Sequence, residues 1–137
     1  MKKSTATLLI LMLVGLTGLV HAQTNRIKAQ VPFDFVVNGK TMPAGECTIE
    51  VTGIDRHVLW IASGDEHLFV LPLASESLNS SSKTSLVFHR YGDRYFLENI
   101  NREGATRGYQ LPASKLEGEL RARNTAEQIL TLLASAE

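Results

Sequence analysis

Runs in which apolar and polar residues alternate cover most of the chain after residue 26. Alternation with a period of two puts successive side chains on opposite faces of a strand, so it predicts half-buried β-strands. Turn signals separate the runs, among them Asn38-Gly39, whose residues tolerate the positive φ of a tight turn. The pattern predicts a mainly β fold: a small antiparallel β-sandwich or partly open barrel of about seven or eight strands with one C-terminal helix.

The first strand signal runs from Ile27 to Val37 and contains Pro32, which cannot donate a backbone hydrogen bond. We therefore expect an edge strand here, or a strand that is broken at the proline. A turn at residues 43–45 then leads into Cys47–Val51, where apolar residues at alternate positions share one face.

A first hairpin is predicted from His57–Ala62 and His67–Leu73, which flank a four-residue loop. This register places Trp60 opposite Phe69, an aromatic pair across the strands. Because both faces of the segment from Leu68 to Leu73 are apolar, we expect this strand to be central and well covered.

A second hairpin is predicted from Ser85–Arg90 and Arg94–Ile100, which turn at Gly92-Asp93. Its register places His89 opposite Phe96 on one face of the ribbon. This hairpin is the clearest one in the sequence because its turn and its alternation agree.

The last quarter of the chain predicts the helix. Ser114 followed by Glu117 has the spacing of a capping box, and Leu116 and Leu120 lie one turn apart on the apolar side. The segment 127–134 suits a helix face or a final strand, and its short apolar run favours the strand.

The first 22 residues have the three-part layout of a secretory signal peptide. Lys2 and Lys3 provide the positive region, the apolar run Leu8–Val20 follows, and the small residue Ala22 ends the segment. The apolar run is shorter than the roughly 20 residues that a transmembrane helix needs. We expect cleavage after Ala22, a single β domain at residues 23–137, and a periplasmic or secreted protein without stable membrane insertion.

Charge and cysteine content narrow the classes of partner. The chain has 14 basic and 14 acidic residues, and loss of Lys2 and Lys3 with the leader leaves a net charge of about −2. A nucleic-acid-binding domain carries a basic stripe, so nucleic acid is not an expected partner. Cys47 is the only cysteine and cannot form an internal disulfide. We interpret it as a small buried apolar residue, with an intermolecular disulfide or a reactive thiol as the alternative.

Four stretches occur in order along the chain: VPFDF at 31–35, PAGE at 43–46, LVFHRYGDRYFL at 86–97 and SKLEGEL at 114–120. Together they resemble a family of short exported bacterial proteins of unknown function. The resemblance spans most of the chain after the leader, and the stretch around His89 is its most specific part. It implies export and a single domain, and it implies no catalytic residue, ligand or cofactor. The chain departs from the family pattern at Cys47, where an aromatic residue is expected.

No sequence motif points to a catalytic or metal site. His57, His67 and His89 do not form an HExxH or His-x-His pattern, and the chain has no Cys-x-x-Cys. No serine lies in a Gly-x-Ser-x-Gly turn. We therefore expect no catalytic residue, no metal and no cofactor, and a hydrolase with an unrecognised site stays an alternative.

The stretch richest in charged and aromatic residues lies at the tip of the second predicted hairpin: Arg90, Tyr91, Asp93, Arg94 and Tyr95. Arginine and tyrosine are enriched where proteins bind partners. The alternative is a structural turn in which Arg90 stacks on Tyr95. We expect an exported, non-catalytic domain that binds a protein or a cell-envelope component, or that serves structurally. The sequence leaves its oligomeric state open.

Four aromatic side chains give a second hypothesis, since they could line a pocket in the β core: Trp60, Phe69, Phe88 and Phe96. Small β-barrels can hold one small ligand in their interior. A carrier of a small apolar ligand is therefore an alternative function, and a core packed without a cavity is the simpler structural interpretation.

Overall fold

A computed structural model describes residues 25–55, 57–76, 80–123 and 126–137. The leader predicted at residues 1–22 lies outside this range. The described residues form twelve strands and one helix. The strands and the helix are β1 (Arg26–Val31), β2 (Phe35–Val37), β3 (Lys40–Met42), β4 (Gly45–Thr52), β5 (Val58–Ser63), β6 (Glu66–Val70), β7 (Leu73–Glu76), β8 (Ser85–Tyr91), β9 (Arg94–Asn101), β10 (Arg107–Gln110), α1 (Lys115–Ala122), β11 (Glu127–Leu133) and β12 (Ser135–Ala136).

The strands form two sheets. The first sheet has the antiparallel order β12-β1-β4-β5-β6, and the second has the order β11-β8-β9-β10-β7. The short hairpin β2–β3 joins the second sheet through a parallel bridge between Val36 and Phe96 on β9. Strands β6 and β12 therefore end the first sheet, and β11 and β7 end the second.

One apolar core joins the two sheets. In the first sheet, Ile27, Ile49 and Ile61 lie side by side on β1, β4 and β5, and all three are buried. In the second sheet, Leu86 and Phe88 project from β8 into the same core. Burial of each such side chain stabilises the fold by about 1.5–3 kcal/mol. The fold is thus mainly β with two packed sheets, as the alternation predicts, and it is consistent with a β-sandwich.

Helix α1 begins after Ser114, whose Oγ accepts a hydrogen bond from the backbone N–H of Glu117 at 3.1 Å. The predicted helix start is therefore confirmed. Arg121 in the last turn contacts Tyr91 on β8, which places α1 against the second sheet. Tyr91 and Phe96 are buried outside the core between the sheets, so α1 covers the outer face of the second sheet.

Both predicted hairpin registers are confirmed: Trp60 faces Phe69, and His89 faces Phe96. The first hairpin turns more tightly than expected, because Ser63 and Glu66 pair with each other and leave a two-residue turn.

The prediction of a central, well-covered strand at Leu68–Leu73 is wrong. Strand β6 lies at the end of the first sheet, and the side chains of Phe69 and Leu71 are 63% and 71% exposed. The chain passes Pro72 after β6 and enters the second sheet as β7, so no strand of the described residues pairs with the outer edge of β6.

The other local predictions largely hold. The first strand breaks at Pro32, between β1 and β2, although β1 lies between β12 and β4 rather than at the edge. Asn38 and Gly39 both have positive φ, 47° and 83°, as their turn requires. The segment after α1 is strand β11. Twelve strands occur where seven or eight were expected, because the first predicted strand divides into β1 and β2 and because β3, β7, β10 and β12 are short strands of two to four residues.

Among the residues that the structure describes, no helix has the length and apolar character needed to cross a membrane.

Candidate functional site

The predicted hairpin tip is largely engaged in contacts within the fold. The Arg90 Nε donates to the carbonyl of Gly92 at 2.7 Å, and the Arg90 guanidinium lies 5.4 Å from the centre of the Tyr95 ring. Tyr95 in turn stacks on Phe33 with ring centres 3.7 Å apart. The stacking of Arg90 on Tyr95 is the arrangement that the structural interpretation of this turn requires.

The remaining tip residues do not form one surface with Arg90 and Tyr95. Tyr91 is buried, and its hydroxyl accepts a hydrogen bond from Arg121 Nε at 3.3 Å. Asp93 and Arg94 are exposed at the turn. The five predicted residues are therefore divided between the two faces of the β8–β9 hairpin, because neighbouring residues of a strand point to opposite sides.

The most unusual buried group is His89, which projects from β8 to the outer face of the second sheet and is 8% exposed. Its Nε2 contacts the carboxylate of Glu98. Val87 faces Asn99 while Phe88 faces Leu97, so Glu98 is the extra residue of a β-bulge. The bulge brings the Glu98 side chain to the imidazole.

The other ring nitrogen of His89 faces two more carboxylates. Its Nδ1 lies 2.6 Å from Glu127 Oε1 on β11 and 3.7 Å from Glu117 Oε1 on α1. Neither contact has the geometry of a hydrogen bond, so this buried nitrogen has no hydrogen-bond partner among the described residues. We name the group His89, Glu98, Glu117 and Glu127 the His89 cluster.

Burial also affects Glu117, the α1 member of the His89 cluster. Its side chain is almost fully buried, and this desolvation raises the pKa of the Glu117 carboxyl above its ordinary value. The nearby Arg121 Nη2, 3.5 Å from Glu117 Oε1, and His89 oppose this shift of the pKa. Glu117 therefore takes up a proton at a higher pH than a solvated glutamate does.

The His89 cluster places one imidazole among three carboxylates. Carboxylates face both nitrogens of one imidazole, so the doubly protonated ring can interact favourably on both sides. Within the described residues, no group of three or more His, Cys, Asp or Glu side chains could hold a metal ion. The two ring nitrogens also point towards different carboxylates and do not converge on one centre with them.

The four aromatic residues proposed to line a ligand pocket do not face a common space. Phe88 contacts Phe35 in the core between the sheets, whereas Phe96 lies beside Tyr91 on the outer face of the second sheet. Trp60 and Phe69 lie together on the first sheet, and Phe69 is exposed. A surface cavity of about 220 Å³ occurs elsewhere, beside His57, Pro72 and Tyr109.

An exposed apolar surface follows β6. Phe69, Leu71 and Leu73, at alternate positions along the chain, are 63%, 71% and 59% exposed. They have together roughly 400 Å² of exposed surface, and the last of them, Leu73, is the first residue of β7 in the second sheet. We name these three residues the β6 edge surface.

The backbone of β6 also presents groups beside these residues that no strand of the described residues pairs with. In a hairpin with a two-residue turn, Ser63 and Glu66 form the hydrogen-bonded pair, and such pairs alternate along the ladder. The N–H and C=O groups of His67 and Phe69 therefore point away from β5. Lys40 Nζ donates to the carbonyl of His67 at 3.0 Å, which fits this orientation.

Lys40 protects one end of the edge. Its ammonium also pairs with Glu66 at 2.6 Å, so it is held over the start of β6. A lysine held beside an edge strand hinders the approach of another strand at that point. No charged side chain occurs from Leu68 to Leu73, so this protection does not extend to Phe69.

No protein-family model, curated protein or solved structure matches the chain. The resemblance to a family of short exported bacterial proteins therefore stays an expectation.

Sequence reasoning missed both the His89 cluster and the β6 edge surface. A bulge, a helix and an edge strand bring Glu98, Glu117 and Glu127 to His89, and no sequence spacing connects them. For β6, the available signal was Pro72: a proline directly after an apolar strand indicates that the chain leaves the sheet there.

Proposed function

We propose that the chain is an exported, non-catalytic module that associates with a second copy of itself through the edges of two β6 strands. The leader-like N-terminus supports export to the periplasm or the cell exterior. The observation that carries the proposal is the β6 edge surface, where exposed apolar side chains accompany a strand edge that no other strand of the described residues covers. The role is structural association rather than catalysis.

A second copy of the same chain can pair with the free edge of β6. Two β6 strands related by a two-fold axis can pair antiparallel about Phe69, so that each Phe69 exchanges two backbone hydrogen bonds with its equivalent. His67 of one chain would then face Leu71 of the other. A carbonyl has two lone pairs, so the contact from Lys40 to His67 leaves room for a second donor. The pairing would join the two first sheets into one continuous sheet.

The exposed apolar side chains supply part of the area that a dimer interface needs. A standard interface takes about 800 Å² from each partner, and the β6 edge surface supplies about half of that as apolar side chains. Backbone pairing adds contacts beyond the side chains. The segment from Leu68 to Leu73 has no charged side chain in either copy, so two β6 edges can approach without charge repulsion along this segment.

The test is the mass of the native protein. The full chain is expressed with its own leader, recovered from the bacterial periplasm, and measured by light scattering coupled to size exclusion over a range of concentrations. Phe69→Lys places a charge at the centre of the proposed pair. The matched control is Ile129→Lys, because Ile129 is 66% exposed on β11, an edge strand of the second sheet.

A concentration-dependent dimer that Phe69→Lys converts to a monomer, and that Ile129→Lys leaves intact, supports the proposal. A monomer at every concentration would contradict it, as would a dimer that is insensitive to Phe69→Lys. If the protein were a monomer that binds an extended peptide of another protein at this edge, β6 would be a peptide-binding site. That result would overturn the proposed self-association.

A further inference from the structure

A cavity of about 220 Å³ opens at the edge of the sandwich, where the chain crosses from the first sheet to the second. The crossing passes Pro72, between β6 and β7. Six described residues line this space: His57, Pro72, Ala74, Arg107, Gly108 and Tyr109. We name it the crossing cavity. Its lining does not include Phe69, the centre of the proposed β6 pair.

Strands β7 and β10 form one wall of the crossing cavity. Tyr109 lies opposite Ala74 in their ladder, and Arg107 lies two residues before Tyr109. Residues two apart on a strand share a face, so Arg107 and Tyr109 project to the same side. Tyr109 packs against the core, which identifies this side as the inner face of the second sheet. His57, directly before β5, lines the cavity from the first sheet.

Three of the lining side chains can donate hydrogen bonds to a ligand. Arg107 carries a permanent positive charge, Tyr109 has a hydroxyl, and the imidazole of His57 keeps an N–H in either neutral tautomer. The side chains of His57 and Tyr109 form no hydrogen bond within the described residues. None of the six lining residues is acidic. The lining is therefore complementary in charge to an anion.

The Arg107 guanidinium has room for such an anion. Arg107 already interacts within the fold, and it lies opposite Glu76 in the β7–β10 ladder. A guanidinium has five N–H donors in a planar fork, and a carboxylate takes two of them. One internal interaction therefore leaves donors of Arg107 for a second partner.

The rest of the lining is apolar. Pro72 and Ala74 carry no polar side-chain atom, and the Tyr109 ring adds an aromatic surface. Cavities that hold drug-sized ligands measure about 300–1,000 Å³, so this smaller one suits a smaller molecule. A ligand with one anionic group and a short apolar body would contact both the polar and the apolar parts of the lining.

We propose that the crossing cavity binds a small organic carboxylate. Arg107 and Tyr109 hold the carboxylate from the second sheet, and His57 donates to it from the first. The apolar body of the ligand lies against Pro72 and Ala74. This site goes beyond the proposed self-association, because it uses neither Phe69 nor the backbone of β6.

Binding of benzoate, a carboxylate on an aromatic ring, tests the proposal. The protein recovered from the periplasm is titrated at constant ionic strength, and its backbone amide resonances are followed by NMR. We expect saturable shifts at residues 107–109 with a dissociation constant on the order of 1–10 mM, the affinity that about ten non-hydrogen atoms give. Benzamide has nearly the same shape without the charge, and it should bind at least about tenfold more weakly.

Three variants locate the binding. Arg107→Gln removes the charge and should weaken benzoate binding by at least about tenfold. Tyr109→Phe removes only the hydroxyl and should weaken it several-fold, and it keeps the ring that packs on the core if Arg107→Gln does not fold. The matched control is Arg94→Gln, which loses the same charge at an exposed position outside the cavity. It should leave the affinity for benzoate unchanged.

Amide shifts that do not saturate would overturn the proposal, and so would saturable shifts that do not include residues 107–109. Equal affinity for benzamide, or an affinity for benzoate that survives both Arg107→Gln and Tyr109→Phe, would contradict it as well. Inorganic phosphate is the remaining probe. If phosphate competes with benzoate at equal concentration, the cavity selects an anion without regard to its apolar body, and the assignment to an organic carboxylate is wrong.

Discussion

Cys47 provides the most direct test of the core, because its chemistry reports whether the interior of the sandwich excludes water. The residue lies on β4 between Ala29 on β1 and Ser63 on β5, and it is fully buried. Burial in these surroundings raises the pKa of the Cys47 thiol from the ordinary value of 9.0 to about 12. The thiolate is the reactive form, so native Cys47 should be inert to thiol reagents.

The size of the effect follows from the pKa of the Cys47 thiol. At pH 8 a thiol with a pKa of 9.0 is about one-tenth ionised, whereas one with a pKa of about 12 is ionised to roughly one part in ten thousand. Ionisation alone therefore slows the reaction about a thousandfold. Exclusion of the reagent by packing slows it further, so the observed rate should follow opening of the core.

The assay compares the rate of labelling by a chromogenic disulfide reagent at pH 8 in the native protein and in denaturant. The control is Ser82→Cys in a Cys47→Ala background, since Ser82 is exposed in the loop before β8. The control should react at the rate of a free thiol, and native Cys47 at least about a thousandfold more slowly. Labelling of native Cys47 at a rate within tenfold of the control would refute the reasoning. It would also favour the reactive-thiol interpretation.

Two further predictions concern α1. Ser114→Ala removes the oxygen that accepts a hydrogen bond from the Glu117 N–H. We therefore expect the free energy of unfolding, measured by urea titration, to fall by about 1 kcal/mol. Ser114→Thr keeps a hydroxyl at this position and should retain most of the wild-type stability. Glu117→Gln should stabilise the protein at neutral pH and have little effect below about pH 4. Burial in the folded state raises the Glu117 pKa. The ionised carboxylate therefore lowers the free energy of unfolding at neutral pH, and glutamine removes that cost. Urea titrations of both proteins at the two pH values measure the difference, and an equal effect at both would contradict the assignment.

Local patterns were sufficient to predict the hairpins and the helix start. Trp60 faces Phe69, and His89 faces Phe96, because the turn between two strands sets their register. Ser114 caps α1 because a hydroxyl three residues before an N–H is within reach of it. Each of these depends on residues close together in the sequence.

Sheet order could not be predicted in the same way. The apolar character of Leu68–Leu73 suits a covered strand, yet β6 ends the first sheet because the next strand joins the second. The contact from Lys40 to His67 links residues 27 positions apart. Local sequence patterns therefore could not predict that Lys40 lies beside the start of β6. The His89 cluster depends on a bulge at Glu98 and on the return of β11 to β8, two features that alternation does not encode.

The position of His89 beside Phe88 shows how one strand contributes to both faces of the second sheet. Phe88 points into the core and contacts Phe33 and Phe35 edge to face, which fixes β8 without a disulfide. The next residue, His89, must then point to the opposite face, where α1 and β11 enclose it with carboxylates. The packing that holds Phe88 in the core therefore also fixes the position of the imidazole on the opposite face.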